Sequence, residues 1–449
     1  MVKESIIKET NTNEGDAVSR NTNKSSEIFN IIIPVILLML IFMLGVTLRV
    51  HNLNVVHRSS DEAVYTLQSR VIAQEGVQGI RALISHYNVT EKLWIFPPPI
   101  RLGYLWVISS FMNISGIDDE RAGSYLSFAF SVITLFLLIV LGLRFFNVWI
   151  MLFALLLLSV SPMDLAIARR TWQDSMVGCF GMALVYCSCE LLRSVSQHKD
   201  DPLSFKTAGG MCQILWFLIF VSIGSYCILI KESGSVIYGL TAIWVLGVLC
   251  IKEKNISKSI YFILYGMLGA VIGITIFARA AGGINNILTV LRHVKDAMPT
   301  NAYAIKYQTG PWYNLIYGLW LLSPASTLLY FVGIFSAVLR KDLKEKTAVF
   351  GLIFFVVTLM TITSLTPYCQ NIRYISALYG PFYLIAGFGV WNIMLLISSL
   401  LKKVPFWSII LIFMFLVCSI AVYDYRNFEK VFIRTEIADV SIRLVREFS

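Results

Sequence analysis

Eleven stretches of this chain are apolar and long enough, or nearly so, to cross a bilayer, and that pattern limits its fold more than any other feature. The first, residues 31–48, holds 18 residues without a charge. The others fall near 122–143, 148–163, 175–192, 210–229, 234–251, 259–278, 314–338, 347–366, 374–398 and 405–423. At 1.5 Å per residue such runs match a hydrocarbon core about 30 Å thick. Of the 449 residues 57% are hydrophobic and 14% charged, with a mean hydropathy of +0.72. A soluble domain carries about 25% charged residues. The chain reads as an all-α polytopic membrane protein.

The formal net charge of +10 is scattered between apolar runs. That is membrane-loop bias and not a nucleic-acid footprint. Residues 1–30 are polar and mixed in charge, and are expected to be a disordered cytoplasmic tail. They lack the form of a cleavable signal peptide, so the first run is expected to stay as an anchor. The eight cysteines lie mostly in apolar runs and read as buried thiols. Cys187 and Cys189 point about 200° apart on a helix, a poor geometry for a metal or redox pair.

Residues 100–115 are apolar but follow Pro97-Pro98-Pro99 and start next to Arg101. The segment is short and amphipathic, so an interfacial helix is expected and not a twelfth span. With the N-terminus inside, thirteen Lys and Arg fall in short inner loops and eight in short outer ones, as the positive-inside rule prefers. On this topology 49–121 and 279–313 are the large outer loops. Residues 424–449 form a separate amphipathic helix candidate, with Phe432, Ile433, Ile437, Val440 and Leu444 on one face.

Chemistry-bearing residues gather in knots on that outer side. Ser59-Ser60-Asp61-Glu62 opens a helical pattern with capping-box spacing from Ser59 to Glu62. Neighbours on a helix point about 100° apart, so one acid can cap while the other faces a cleft as a general base; Asp61 is then the free one. Arg169-Arg170-Thr171-Trp172-Gln173-Asp174 forms the second knot, Lys231-Glu232 the third and Gln370-Asn371-Ile372-Arg373-Tyr374 the fourth. Each also fits a bland reading as helix caps, interfacial ion pairs or head-group anchors. In 279–313, Arg292, His293, Lys295, Tyr303, Lys306, Tyr307, Trp312 and Tyr313 suit a sugar face and a phosphate, or an interfacial belt. No cluster has metal-ligand spacing, and no Walker loop, nucleophile elbow or dinucleotide fingerprint is present.

In order, these motifs resemble a known superfamily. Asp61-Glu62 after the first span, then FPPPIRLGYLWV, then Glu120-Arg121-Ala122-Gly123-Ser124, then SPMDLAIARRTWQD, ILIKESGSVI and NIRYISALYGPFYLIAGFG resemble the dolichyl-phosphate-mannose protein mannosyltransferase-like superfamily. It includes the lipid A aminoarabinose transferases. The likeness covers about residues 31–398 and rests on order and spacing. It departs at Gln173, where many members have Pro, and in lacking the larger C-terminal domain of some members.

The resemblance implies the GT-C fold, with a transmembrane domain over 31–423. It implies transfer of a hexosyl or pentosyl group from a polyprenyl-phosphate donor to an acceptor hydroxyl on the extracytoplasmic side, with inversion. Asp61 would be the catalytic base, with Asp174 beside it. Arg58, Glu62, Arg170, Lys231, Tyr303, Tyr307, Arg373 and Tyr374 would contact substrate. No cofactor is required, and a divalent metal is left open. The partners would be the lipid-linked donor, a lipid, glycan or protein acceptor, and membrane lipid. The default setting is a bacterial plasma membrane with the site facing out, or the endoplasmic reticulum in a eukaryote. The competing reading is a secondary transporter or lipid flippase. It is disfavoured because the interiors of the eleven spans contain no Asp, Glu, Lys, Arg or His.

Overall fold

The apolar runs fold as helices, and every regular element among the described residues is helical. The computed structural model describes residues 32–51, 53, 58–198, 207–340 and 346–435. The expected tail 1–30, the inner-loop Lys199, Lys206, Lys341 and Lys344, and Ile437, Val440 and Leu444 lie outside them. In chain order the helices are α1 Ile32–His51, α2 Ser60–Glu75, α3 Val77–Val89, α4 Leu102–Ser115, α5 Glu120–Phe145 and α6 Val148–Ser159. α7 Pro162–Ala168, α8 Asp174–Gln197, α9 Ala208–Ile230, α10 Ser233–Gly247, α11 Ile256–Ala280 and α12 Ile284–Ala297 follow. The last are α13 Ala302–Tyr307, α14 Asn314–Leu322, α15 Pro324–Leu339, α16 Lys346–Leu365, α17 Tyr379–Leu400 and α18 Phe406–Phe428.

Nine of these, some with a 3₁₀ or π turn at one end, are long and apolar enough to cross a membrane singly, or ten if the bent pair α6–α7 counts as one. This is an integral membrane protein. The eleven spans expected from sequence are not reached among the described residues, and proline is the reason. Pro324 splits the run 314–338 into helices of 9 and 16 residues, with Ser323 in a non-helical conformation (φ −143°, ψ 69°). A proline cannot donate to the preceding turn, and it forces the residue before it out of the helical region. Pro162 likewise bends α6 against α7 by 58°.

That second break is closed by a residue just beyond the first apolar run. Arg49, fully buried in α1, donates to the carbonyls of Ser159 at 3.1 Å and Leu158 at 3.3 Å. It also pairs with Asp164 of α7 and donates to Ser131 of α5 at 2.6 Å. The last carbonyls of α6 thus gain a side-chain donor inside the bundle, Leu158 O also accepting the Ser161 N–H at 3.2 Å, as carbonyls must be satisfied away from water. Charge is therefore not confined to loops. Arg49, Asp164 and Asp424 each sit one residue past a run read from the sequence, yet they are helical and buried. α18 likewise continues through a π turn, Glu429–Ile433, past the boundary expected at residue 423.

α4 has 14 residues, about 21 Å, too short for a 30 Å core. It packs between α2 and α9 with Leu102, Leu105 and Ile108 buried. α5, α8 and α10 all begin at one end of the bundle, where the loop knots meet, and run to the other.

Candidate active site

The N-terminus of α2 separates its two acids as helical geometry requires. Glu62 is fully buried. Its carboxylate accepts the Ser59 N–H at 2.9 Å, which caps the helix. It also accepts from Arg170 at 3.0 Å, Arg58 at 3.0 Å and the Thr171 N–H at 2.9 Å. Glu62 is therefore the tie between α2 and the turn joining α7 to α8. Gly123 of α5 lets that turn come close, since a Cβ there would lie 2.1 Å from a Thr171 methyl. The paired arginines divide their work. Arg170 holds Glu62, while Arg169 donates to the Phe432 carbonyl at 2.5 Å and so anchors the end of α18.

Asp61, the next residue round the helix, keeps 26% of its side chain exposed and accepts from Arg373 at 2.7 Å. Arg373 stands at the start of the 3₁₀ turn Ile372–Leu378, whose N-cap is the Asn371 side chain. Its guanidinium lies over Trp172, 4.8 Å from the ring centre, and beside Tyr374 at 5.4 Å. Its buried Nε–H has no acceptor among the described residues.

Behind this wall is a second pair. Asp174, the first residue of α8, accepts from Lys231 at 2.8 Å, and both are almost fully buried. Lys231 occupies the extended break between α9 and α10, with its Nζ 4.2 Å from the Tyr374 ring centre. Burial pushes the Lys231 ammonium below the usual lysine range, and the Asp174 charge opposes that shift. Tyr374 therefore separates two ion pairs, Asp61–Arg373 on the cavity side and Asp174–Lys231 beneath. Asp174 Oδ2 has no hydrogen-bond partner among the described residues.

The cavity in front has a volume of about 340 Å³. Asp61, Arg101, Trp172, Arg373 and Tyr374 form its polar wall; Phe96, Pro97 and Pro98 form an apolar one. Asn301, Tyr303 and Gln308 close it from α13 and its two caps. Of the residues expected to touch substrate, Arg373, Tyr374 and Tyr303 line it. Lys231 lies behind it. Arg58, Glu62, Arg170 and Tyr307 are not part of its lining. The first three are occupied in holding α2 to the turn after α7, with Arg58 also donating to Ser124 at 2.8 Å, and Tyr307 packs on Tyr303.

Four polar residues of the lining, Arg101, Trp172, Asn301 and Gln308, carry no role in the sequence reading. Arg101 is held by Glu232 at 3.2 Å and by the Tyr65 hydroxyl. Its position after the proline triplet was the available signal. Trp172 lay inside a quoted motif without a role. Gln308 donates to the Tyr374 hydroxyl at 3.2 Å, and nothing local marks it. Among the described residues no group of three His, Cys, Asp or Glu side chains could hold a metal ion.

Fold and site together define a class: a polytopic all-helical membrane protein of the GT-C fold, with an acid–cation cavity built from the helix ends on one face. Within that class the chain is similar to ArnT from Cupriavidus metallidurans. The apo crystal structure matches with a TM-score of 0.52 and 14% identity, covering 91% of this chain and 75% of ArnT. The structure of ArnT bound to undecaprenyl phosphate matches at 0.55 and 12%, covering 93% and 75%. The archaeal oligosaccharyltransferase AglB from Archaeoglobus fulgidus, in complex with an inhibitory peptide and a dolichol-phosphate, matches at 0.56 and 13%, covering 88% of this chain and 55% of AglB. No protein-family model and no curated protein sequence matches the chain. The resemblance read from the ordered loop motifs thus holds at the level of fold.

Proposed function

We propose that this protein is a membrane glycosyltransferase that moves a sugar from a polyprenyl-phosphate carrier to an acceptor hydroxyl on the extracytoplasmic face. The observation that carries this reading is Asp61. It is a partly exposed carboxylate in a cavity and is held by one arginine whose remaining buried N–H has no partner among the described residues.

In the proposed step the acceptor oxygen attacks the anomeric carbon while Asp61 takes its proton. The bond from that carbon to the phosphate oxygen breaks, and its electron pair leaves with the lipid phosphate. Arg373 stabilises the charge that grows there, with Lys231 behind it. One displacement inverts the anomeric configuration. Arg373 holds the Asp61 carboxylate at 2.7 Å and so orients it toward the cavity. A lipid-linked donor is favoured by the apolar wall of Phe96, Pro97 and Pro98 beside the polar one, and by the undecaprenyl phosphate and dolichol-phosphate held in the similar structures. The sugar, hexose or pentose, and the acceptor are open to assay. The setting we propose is a bacterial plasma membrane, or the endoplasmic reticulum in a eukaryote.

A transporter or flippase is the second reading, favoured by the buried Arg49–Asp164 pair and the bent helix beside it. That pair is explained by the helix break it closes, which weakens the case. The test is incubation of the purified protein with a panel of polyprenyl-phosphate sugars. Stoichiometric release of lipid phosphate with inversion at the sugar supports transfer; movement of intact donor across a vesicle without release supports the transporter.

A further inference from the structure

The end of the bundle remote from Asp61 carries a second polar cavity. α5 and α8 leave the Asp61 end and carry Arg144 and Arg193 near their far ends. α10 continues through a π turn, Val248–Lys252, to Lys252. These cations lie about 30 Å along their helices from the first cavity. α16 runs the opposite way and begins with Lys346.

The four cations line two adjoining recesses of about 340 and 440 Å³ that share Trp244, Val248, Lys252 and Thr347. Two carboxylates face them. Glu190 is held by Arg144 Nε at 2.8 Å and Arg193 Nε at 3.1 Å; Glu253 is the other. Positive charge is left in excess, and the guanidinium side chains are 45% and 34% exposed. Lys252 donates to Thr347 at 2.7 Å, which brings its ammonium to the point where the recesses join. The π turn beside it is marked by a bond from the Glu253 N–H to the Val248 carbonyl at 3.0 Å. Such turns are rare and concentrate at functional sites. The second recess is apolar apart from its lysines and Thr347: Trp244, Val248 and Phe350 form its wall, and Phe350 is exposed on the outside of the bundle.

We propose that this cavity binds the phosphate-bearing headgroup of an anionic phospholipid, on the membrane face opposite Asp61. The excess cations hold the phosphate, and the acyl chains lie against Trp244 and Phe350. Basic recesses between helix ends at headgroup depth suit such lipids. The apolar half favours a lipid over free phosphate, which has no use for it. The proposal does not depend on the transfer chemistry.

The test measures binding of fluorescent phosphatidylglycerol to the full-length protein in neutral detergent, with phosphatidylcholine and inorganic phosphate as competitors. The expected result is at least tenfold preference for phosphatidylglycerol over both. The double variant Lys252→Gln/Lys346→Gln, which leaves the Glu190 pairs in place, should lose at least fivefold in affinity. Lys252→Arg/Lys346→Arg should retain binding, which separates lost charge from lost folding. Arg373→Ala should also retain it, since that residue lies in the other cavity. Equal binding of both phospholipids, unchanged affinity in the double glutamine variant, or loss in Arg373→Ala would overturn the proposal. Competition by inorganic phosphate as strong as by the lipid would overturn the lipid assignment.

Discussion

Asp61 and Arg373 are 312 positions apart in the chain and 2.7 Å apart in the fold. One begins the first helix after α1; the other begins the turn that leads into α17. Their pairing draws the two ends of the transmembrane domain into one wall and fixes the orientation of the carboxylate. Arg373 has a second duty in the proposed reaction, because the group it holds and the group it would stabilise carry the same sign of charge.

Arg373→Ala should lower turnover by about 10²-fold or more, the scale of losing one charge-stabilising group. The loss should fall on kcat more than on donor KM, since charge on the phosphate grows as the bond breaks. Steady-state kinetics with a polyprenyl-phosphate sugar would show it. A rise in KM with unchanged kcat would make Arg373 a binding residue only.

Glu62→Gln should act on stability. The carboxylate is buried between Arg170 and Arg58 and accepts two backbone N–H groups. Breaking a buried pair from one side costs about 3–5 kcal/mol, more than the 0.5–2 kcal/mol of a helix cap alone. Thermal unfolding in detergent should show a clear fall in Tm for Glu62→Gln and little change for Asp61→Asn. The reverse order would exchange the roles of the two acids.

Activity should fall on the alkaline side below the ordinary lysine range, about pH 10.4, because burial lowers the Lys231 pKa. The folded state holds that proton less tightly than the unfolded chain. The stability deficit from this group is therefore present below the folded pKa and fades as pH rises through it. The loss is one of chemistry and not of folding. Lys231→Arg, which stays charged, should remove the alkaline limb in a pH–rate profile. A limb left in place would assign it to another group.

A chelator should have little effect on the wild type. In the proposed reaction Arg373 meets the donor phosphate, and Asp61 and Asp174 are each paired with a cation. Loss of activity in EDTA, restored by Mn²⁺ or Mg²⁺, would recast Asp61 and Asp174 as metal ligands.

The span pattern and the separate fates of Asp61 and Glu62 were legible in the sequence, because helix length and the 100° step between neighbours are local properties. The break at Pro324 is marked only by its proline, since hydropathy stays high across it. Arg49, Asp164 and Asp424 were missed for a related reason. Each ends an apolar run, and only long-range contacts, Arg49 to the end of α6 and Asp424 to Ser326 at 3.1 Å, show it to be buried. Arg170 and Arg169 were a single knot in the sequence. Their division between Glu62 and Phe432 depends on segments 108 and 263 positions away. Gln308 joined the cavity through Tyr374, a contact no local pattern encodes.

In the proposed reaction Asp61 accepts the proton when a lipid-phosphate-linked sugar is transferred. The most direct measurement is single-turnover release of lipid phosphate from a matched donor and acceptor, comparing wild type with Asp61→Asn at equal Tm. The wild type should release lipid phosphate and the variant should lose at least about 10³-fold, the upper range for removing a general base and its charge together. Release by Asp61→Asn at near wild-type rate would contradict it and move the base to Asp174.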